Sequence, residues 1–387
     1  MKLVLDTKSF AEATAWVAKI IDPKDDKGYI ALLVNADGVG ALSHTSGLSY
    51  AKSPLVVNSV ELAKGEEEVK LALSASFVRR FASTLRDHRE PLVFSKKLED
   101  PKSQLSATRP GENYTIPLVD SPIGAEPAYE VIGTVDAGEY LDTVNRLAKL
   151  TDPINAGTIP AVGSIDLQLD PEAGTATAMG TDRFSLGEIS ITFAPKKKAD
   201  FYKNNRNLFL PEASARLITP SKGAVDNIEL LFEEKSKKFG YAFPDGRLLL
   251  FALTSATPIN YHPLKEKLDT NSDVLISVAE LRNAISSISN LAIDEAEIIL
   301  NIGAEGIDVI DLRETNSLQV NVQESHGLKE PKRVPFLRTI LNQALDILAT
   351  SRVLVKFKDS SSAFVFVPVY DDDSTAENVF LMTVPKV

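Results

Sequence analysis

Thr181-Asp182-Arg183-Phe184-Ser185-Leu186 is a short, mostly polar stretch near the middle of the chain. Residues 163–169 and 176–179 before it have the alternating pattern of a β-hairpin, and residues 187–193 after it have the pattern of another strand. Taken alone, the stretch is typical of a turn closed by Asp182. Strand-helix-strand patterns of the same order lie on both sides of it, and this repetition indicates a larger architecture.

The repeated order occurs three times along the 387 residues. Each third predicts a strand-helix-strands unit twice, which gives six helices in a chain with a majority of strand. The predicted helices lie near residues 10–21, 76–87, 138–150, 212–218, 278–291 and 336–349. Segments rich in proline, 120–127 and 257–268, separate the copies. The sequence therefore predicts an α+β fold of three similar domains, residues 1–129, 130–268 and 269–387, in a stacked or ring-like arrangement.

The composition is that of a globular protein, with 44% hydrophobic and 25% charged residues. A chain of 387 residues is too long for a single core. Neither an apolar run that could span a bilayer nor a leader-like segment at Met1 is present, so we expect a cytoplasmic protein without membrane association. The absence of cysteine excludes disulfides, thiol nucleophiles and thiolate metal sites.

The charges are unevenly distributed. The net charge is -11, but windows around the six predicted helices hold thirteen basic and seven acidic residues. One interpretation is that basic residues are good helix formers and fall on helices by chance. The other is a protein whose helices line a basic surface for a polyanion, while its strands present an acidic exterior. Under the second interpretation the predicted DNA-binding residues are Lys24, Lys27, Arg79, Arg80, Arg86, Arg146, Lys149, Arg216, Lys222, Arg282 and Arg338.

Motifs for catalysis or metal binding do not stand out. The histidines, His44, His88, His262 and His326, lack the spacing of metal ligands. Asp37-Gly38-Val39-Gly40 has half of a dinucleotide-binding loop, but a strand follows it, which favours a hairpin turn. Asp371-Asp372-Asp373 is typical of a solvated loop, since no further carboxylate is spaced to share a cation. We therefore expect a protein that is not an enzyme and needs no cofactor or metal.

A resemblance to a known family rests on three features together. They are the threefold repeat, the basic helices and the Thr-Asp-x-x-x-Leu signature at Thr181–Leu186. From residue 1 to 387 the sequence resembles the bacterial DNA polymerase III β subunit (sliding clamp) family, as a divergent member. The resemblance implies three clamp domains per chain, each with two inner helices and outer antiparallel sheets. It also implies a head-to-tail homodimer that closes as a ring around double-stranded DNA. Such a ring is a processivity factor, whose partners are the replicative DNA polymerase, the clamp loader and other replication or repair proteins.

The resemblance also implies a pocket for a short apolar peptide motif of those partners. Carried over position by position, the pocket comprises Val162, Thr181, Arg183, Phe184, Ser185, Leu186, Pro263, Lys267, Leu268, Met382, Thr383, Val384 and Pro385. Most of these side chains are apolar, as a groove for leucine and aromatic anchors requires. The alternative is that these residues fill the core and leave no groove.

The sequence departs from the family pattern in three places. Arg183-Phe184-Ser185 replaces the common Gly-His-Arg, Pro385 lies one position nearer the end than usual, and Glu212 stands where a basic residue is expected.

For the dimer, the strand that contains Tyr114, Thr115 and Ile116 is expected to pair with the last domain of another chain, near Leu291. An unpaired apolar edge strand is a liability that association removes.

A rival hypothesis from another class also fits part of the sequence. A three-repeat, β-rich extracellular or viral structural protein without DNA binding, such as an adhesion module, would suit an acidic chain without cysteine. That hypothesis predicts no segregation of charge onto the helices. It also gives no reason for the apolar strand at residues 379–387.

Overall fold

A computed structural model describes the chain except residues 23, 26, 86–88, 97–103, 197, 205–206, 219–226, 293–294 and 387. Two residues predicted to bind DNA, Arg86 and Lys222, lie outside the described residues. The described part has an α+β architecture of three antiparallel sheets with few helices, as predicted. In that part, no helix combines the length and hydropathy that a membrane span requires.

The helices include all six that the sequence predicts. They are α1 (Thr7–Val17), α2 (Ala75–Thr84), α3 (Ala137–Leu147), α4 (Phe201–Asn204), α5 (Glu212–Ala215), α6 (His262–Glu266), α7 (Val278–Leu291) and α8 (Arg338–Ile347). Local capping fixes two of the starts, because Asp6 accepts a hydrogen bond from the Ser9 amide (2.7 Å) and Ser277 accepts one from the Glu280 amide (3.3 Å). The short helices α4 and α6 were not predicted.

The strands are numbered in chain order. The first half holds β1 (Lys2–Leu5), β2 (Tyr29–Asn35), β3 (Gly40–Thr45), β4 (Ser49–Leu55), β5 (Val57–Glu61), β6 (Glu68–Ser74), β7 (Leu92–Ser95), β8 (Gln104–Arg109), β9 (Glu112–Pro117), β10 (Glu130–Asp136), β11 (Ser164–Asp170), β12 (Thr175–Thr181), β13 (Ser185–Thr192) and β14 (Ala194–Pro195). The second half holds β15 (Asn207–Pro211), β16 (Asn227–Glu233), β17 (Lys238–Ala242), β18 (Leu248–Ala252), β19 (Ser272–Ser277), β20 (Glu297–Ile302), β21 (Gly306–Asp311), β22 (Ser317–His326), β23 (Lys332–Leu337), β24 (Arg352–Phe357), β25 (Phe364–Val369) and β26 (Val379–Thr383). The strand β23 was not predicted, and α8 accordingly begins two residues later than expected.

The chain forms two compact units. Unit 1 comprises Met1–Asp136, Pro195–Lys203 and Gly223–Leu253, and unit 2 comprises Ala137–Ala194, Asn204–Lys222 and Thr254–Val387. The strands of the middle third are thus divided, with β10 and β16 to β18 in unit 1 and β11 to β13 in unit 2. The division into three domains, each one third of the chain, stays a prediction.

Unit 1 contains a five-stranded sheet, β5-β1-β7-β8-β9, and a nine-stranded sheet, β14-β10-β16-β17-β18-β4-β3-β2-β6. The rings of Phe10 from α1, Phe81 from α2 and Phe94 from β7 meet edge to face, with centroids 5.3 to 6.3 Å apart. These contacts bury the apolar faces of both helices. The indole of Trp16 donates to the Leu248 carbonyl (3.1 Å) and so ties α1 to β18.

Unit 2 is built on a twelve-stranded sheet, β15-β11-β12-β13-β26-β25-β24-β19-β22-β21-β20-β23. The helices α3, α7 and α8 bury one face each, and α7 contributes Leu281, Ile285 and Ile288. Two equivalent strand pairings follow from the internal repeat. We call β4 paired with β18, in unit 1, the first junction, and β13 paired with β26, in unit 2, the second junction.

Candidate peptide-binding groove and basic helices

The signature stretch forms a tight turn between β12 and β13. The carboxylate of Asp182 accepts hydrogen bonds from the amides of Phe184 (2.9 Å) and Ser185 (2.5 Å), and burial raises its pKa. The Thr181 hydroxyl donates to the Ser185 carbonyl (2.7 Å). These bonds account for the Thr-Asp pair of the signature. The sequence prediction of a turn closed by Asp182 is confirmed.

Arg183 adopts a positive φ of 79°, a conformation that glycine accepts most readily. It occupies the position where the family pattern has glycine. Its guanidinium lies 3.3 Å from the Asp152 carboxylate and 5.9 Å from the centre of the Phe184 ring. Hydrogen bonds from Asn155 and the charge of Arg183 lower the pKa of Asp152. The turn therefore holds the Phe184 ring outward, where 44% of the residue is exposed.

An apolar cluster lies beside this turn, at the second junction. Its buried members are Met179, Leu186, Tyr261, Val365 and Met382, and its half-buried members are Leu268, Ala363, Val367, Phe380 and Val384. We call this set the groove cluster. It arises because Leu186 pairs with Met382 across β13 and β26, and Met382 pairs with Val365 across β26 and β25. Side chains at paired positions project on the same face of a sheet.

The groove cluster brings together four of the residues predicted for the peptide pocket, namely Leu186, Leu268, Met382 and Val384. The others lie outside it. Val162, Ser185, Thr383 and Pro385 are buried, Thr181 is half-buried, and Arg183, Phe184, Pro263 and Lys267 are exposed. The hydroxyls of Ser185 and Thr383 lie 3.0 Å apart across the junction. Tyr261 and Val365 were not predicted from the sequence, because they carry no local motif and join the cluster only through the tertiary fold.

The segment that contains α6 is fixed to the sheet beside the cluster. Tyr261 is buried, and the Lys265 amine donates to the Glu188 carboxylate (2.6 Å) while lying 4.7 Å from the centre of the Phe380 ring. This anchoring leaves Pro263 exposed and leaves 54% of Leu264 exposed. Phe184, Pro263 and Leu264 are thus exposed apolar residues close in the chain to Leu186, Tyr261 and Leu268 of the groove cluster, and we call these three the apolar rim.

A buried carboxylate, that of Asp166, lies on the strand next to Met179 of the groove cluster. Asp166, Met179 and Glu188 are paired across β11, β12 and β13. Asp166 is 3% exposed, its Oδ2 accepts from the Gln168 amide (3.3 Å), and its Oδ1 has no partner among the described residues. Burial raises the pKa of Asp166 to about 6. Burial, Glu188 and Asp166 raise the pKa of Tyr261.

In unit 2, residues predicted to bind DNA contact the carboxyl ends of other helices. The guanidinium of Arg146 donates to the Ile347 carbonyl (2.8 Å), and that of Arg282 donates to the Leu345 carbonyl, both at the end of α8. The Asp346 carboxylate lies 3.3 Å from both Lys149 and Arg282. Such cations offset the negative end of the helix dipole.

The same arrangement occurs at two other helix ends in unit 2. The guanidinium of Arg216 donates to the Ala148 carbonyl (3.0 Å) and pairs with Glu212 (2.6 Å). Arg338 reaches the Ser289 carbonyl near the end of α7 (3.5 Å). Glu212, which departs from the family pattern, therefore supplies an ion pair for Arg216. These contacts give the unit 2 cations a structural role, whereas their part in DNA binding stays a prediction.

The predicted DNA-binding residues of unit 1 are placed differently. Lys24 and Lys27 are exposed in the segment after α1, and Arg79 and Arg80 lie on α2. Arg80 donates to the Ser76 carbonyl one turn earlier (3.2 Å). Within the described part of the chain, none of the four has a carboxylate within ion-pair distance.

The three residues predicted at the dimer interface lie on two different elements. Tyr114 and Ile116 lie on β9, which is an edge of the five-stranded sheet. Ile116 is buried, and the half-buried Tyr114 packs its ring against Phe81 at 4.9 Å. Leu291 ends α7 and is 65% exposed.

Among the described residues, no group of three or more His, Asp or Glu side chains could hold a metal ion.

The chain is similar to several solved structures. No family model and no curated protein matches the sequence. The Helicobacter pylori β clamp, solved with a bound DNA ligase peptide, is 16% identical with 100% of both chains covered and a TM-score of 0.78. The Bacillus subtilis DNA polymerase sliding clamp is 12% identical, with 100% of this chain and 99% of that chain covered and a TM-score of 0.81.

A third similar structure is the DNA polymerase III β chain of Streptococcus pneumoniae TIGR4, which is 16% identical. The alignment covers 100% of this chain and 99% of the Streptococcus pneumoniae chain, with a TM-score of 0.80. At these identities the likeness concerns the backbone architecture. From its first residue to its last, the chain has the fold of the bacterial DNA polymerase III β sliding clamps.

Proposed function

We propose that the protein is a sliding clamp, a processivity factor without catalytic activity that encircles duplex DNA. In this role it tethers a replicative DNA polymerase and other replication proteins, and a clamp loader opens it. The proposal is carried by the fold likeness over the full length of both chains, together with the apolar groove cluster beside an exposed apolar rim. A protein with this role would act in the cytoplasm.

The proposed peptide site is the groove cluster with its rim. A clamp of the same fold was solved with a DNA ligase peptide, which supports a peptide as the ligand. The expected motif has a glutamine, a leucine and a terminal leucine-phenylalanine pair, whose apolar side chains would pack against Leu186, Met382 and Val384. The flexible thioether of Met382 can adapt to either anchor. Burial of two anchors supports an affinity in the micromolar range, about -8 kcal/mol.

A titration with a labelled peptide of that motif tests the site. We expect Met382→Ala and Leu268→Ser to weaken binding about tenfold each, because each removes apolar contact area. Leu312→Ala is the matched control, since Leu312 is exposed and outside the groove cluster. Saturable binding that is the same in all four proteins would contradict the assignment. A lack of binding by the unmodified protein would contradict the site as a whole.

For DNA we propose sequence-independent contacts to phosphates, with the free cations of unit 1 as the main contributors. Replacing Arg79 and Arg80 with alanine should weaken retention on circular duplex DNA. It should also lower the slope of log affinity against log salt by roughly one per lost phosphate contact. Replacing Arg146 and Arg282, which are engaged at the end of α8, should mainly lower the free energy of unfolding.

We propose a head-to-tail dimer in which β9 of one chain pairs with β22 of a second chain. Residues 317–321 of β22 pair with β21 on one side, while β19 pairs only with residues 322–326. This leaves the other side of residues 317–321 unpaired among the described strands, and Leu318 is 40% exposed there. Two unpaired edges in one chain permit a closed ring of two chains.

The register of this pairing follows from the two junctions within the chain. At the junctions Tyr50 pairs with Leu250 and Leu186 pairs with Met382. The equivalent positions are Thr315, just before β22, and Thr115 of β9, so Leu318 would lie opposite Glu112 of the second chain. Leu318→Glu should then convert the dimer to a monomer, while Val39→Glu, in the exposed turn after β2, should leave it intact. Sedimentation at micromolar concentration measures both, and a monomeric unmodified protein would contradict the ring.

A further inference from the structure

A cleft of about 310 Å³ lies between α1 and α2 in unit 1. We call it the helix cleft. Small side chains open it, because both helices present alanine where they approach one another. The alanines are Ala11, Ala15, Ala18 and Ala82. A row of small residues does not define a ligand by itself, so the polar groups of the helix cleft decide what it can hold.

Thr14 supplies a free donor within the helix cleft. The residue is 1% exposed and lines the cleft, and its hydroxyl has no hydrogen-bond partner among the described residues. Buried hydroxyls nearly always have a partner, so an unpaired one needs an explanation. The other hydroxyl of the cleft, that of Ser83, already donates to the Arg80 carbonyl (2.6 Å). Thr14 can therefore donate to a ligand that enters.

The charges of the helix cleft have one sign. Lys19 and Arg79 line it, and no carboxylate does among the described residues. Two other clefts of unit 1 carry both signs. A cleft of about 610 Å³ on α1 has Glu12 and Asp245 beside Lys19 and Arg247, and a cleft of about 400 Å³ has Glu66 and Glu68 beside Lys70 and Lys96. Partial burial and the charge of Arg247 lower the pKa of Lys19, so an anion nearby would stabilise its charged form.

We propose that the helix cleft is a seat for one phosphate group of a nucleic-acid backbone, with the Thr14 hydroxyl as donor and Lys19 and Arg79 as the cations. A phosphate oxygen accepts hydrogen bonds and pairs with ammonium and guanidinium groups, which matches this set of donors. The proposal rests on the proposed clamp function and deepens it. Nonspecific screening alone would need no buried hydroxyl, whereas a seat fixes one phosphate relative to α1 and α2.

The first arm of the test measures binding of a short duplex over a range of salt concentrations. We expect Arg79→Gln to lower the salt slope by about 0.9, since one phosphate contact is lost. Thr14→Val keeps the shape and removes the donor, so it should weaken binding about three- to tenfold with the salt slope unchanged. Thr14→Ser restores the hydroxyl and should restore affinity. Lys8→Gln is the matched control, because Lys8 lies on α1 outside the helix cleft and pairs with Glu12.

The second arm uses inorganic phosphate, which separates a backbone phosphate from a free one. Backbone amide resonances of Ala15 and Ala18 should shift on titration of the unmodified protein and not of Thr14→Val. Melting temperatures of all variants report whether they are folded. If inorganic phosphate shifts these resonances while duplex affinity is the same in every variant, the seat binds free phosphate and the backbone assignment is overturned.

Retention on circular duplex DNA, measured separately, distinguishes failure of the seat from failure of the clamp function. If the protein is retained but Thr14→Val and Arg79→Gln match Lys8→Gln in both arms, the seat is overturned and the clamp function stands. If the protein is not retained, but duplex and phosphate binding depend on Thr14 and Arg79, the clamp function fails and the seat stands.

Discussion

The first and second junctions are built on equivalent strand pairings but differ in how much of their apolar surface is buried. At the first junction Tyr50, Leu231, Leu248 and Leu250 are each at most 4% exposed, and two half-buried residues, Val131 and Ala242, pack against them. At the second junction half of the groove cluster is only half-buried. The paired positions are equivalent, with Tyr50 opposite Leu250 in one and Leu186 opposite Met382 in the other. The same strand pairing thus carries two half-buried apolar neighbours at the first junction and five at the second.

The difference has two causes. Tyr50 is larger than Leu186, and its hydroxyl donates to the Glu126 carboxylate (3.4 Å), which also pairs with Lys52 (2.7 Å). Burial and Glu126 raise the pKa of Tyr50. The segment that follows the first copy therefore closes the first junction with a polar contact. At the second junction the equivalent segment is anchored by Tyr261 and Lys265 and leaves the groove cluster at the surface.

The largest expected effect comes from making the second junction resemble the first. Leu186→Tyr places the larger side chain of the first junction in the groove cluster. We expect peptide affinity to fall more than about hundredfold, since both anchors, each worth about 1.5–3 kcal/mol, lose their place. Peptide titration measures the loss, and Leu312→Tyr is the control. Binding by Leu186→Tyr at the unmodified affinity would show that the groove lies elsewhere.

The next effect concerns Asp166, whose equivalent position near the first junction is Ala31, also buried. The folded pKa of Asp166 is about 6 against an ordinary value of 3.8, so folding favours its protonated form. Its destabilising effect is absent below about pH 4, grows between pH 4 and 6, and is complete above that. Asp166→Asn should therefore raise the free energy of unfolding at pH 8 by on the order of 3 kcal/mol.

Urea unfolding at pH 4 and pH 8 checks this prediction. Glu172→Gln, an exposed carboxylate in the same hairpin, should leave the difference between the two pH values unchanged. An Asp166→Asn protein that is no more stable than the unmodified one at pH 8 would contradict the raised pKa. The peptide affinity of Asp166→Asn shows whether removal of this buried charge also affects the groove cluster.

A smaller effect is expected from the cations of the two units. Arg282→Ala removes a hydrogen bond to the end of α8 and an ion pair with Asp346, and should lower the free energy of unfolding by about 1–2 kcal/mol. Lys27→Ala, in the exposed segment after α1, should change stability by less than about 0.5 kcal/mol. Equal losses in the two variants would contradict the division between structural and free cations.

The smallest effect is expected at the first junction itself. Tyr50→Phe removes the hydrogen bond to Glu126 and keeps the ring, so it should lower the free energy of unfolding by about 1 kcal/mol. Peptide affinity should not change, because the ring still fills the first junction. A gain of a second peptide site in this variant would show that the hydroxyl, and not the ring, closes the first junction.

Much of the fold was predictable from local patterns. The six helices follow from apolar spacing, and the turn at Thr181–Leu186 follows from Asp182, whose side chain can bond amides two and three residues ahead. The strand β23 was missed because Pro335 interrupts its pattern, although it is an edge strand of the sheet, where proline is tolerated. In the groove, Leu186, Leu268, Met382 and Val384 were predicted through resemblance and not through spacing.

The sequence by itself determined the threefold repeat, the surplus of basic residues on helices and the signature turn, because each depends on neighbours within a few positions. The tertiary structure decided what those residues do. Arg146 and Arg282 meet the end of α8 only because distant helices pack together, and Tyr261 and Val365 join Leu186 only through strand pairing across the sheet. Burial and charge neutralisation depend on contacts between distant parts of the chain, which local patterns do not specify.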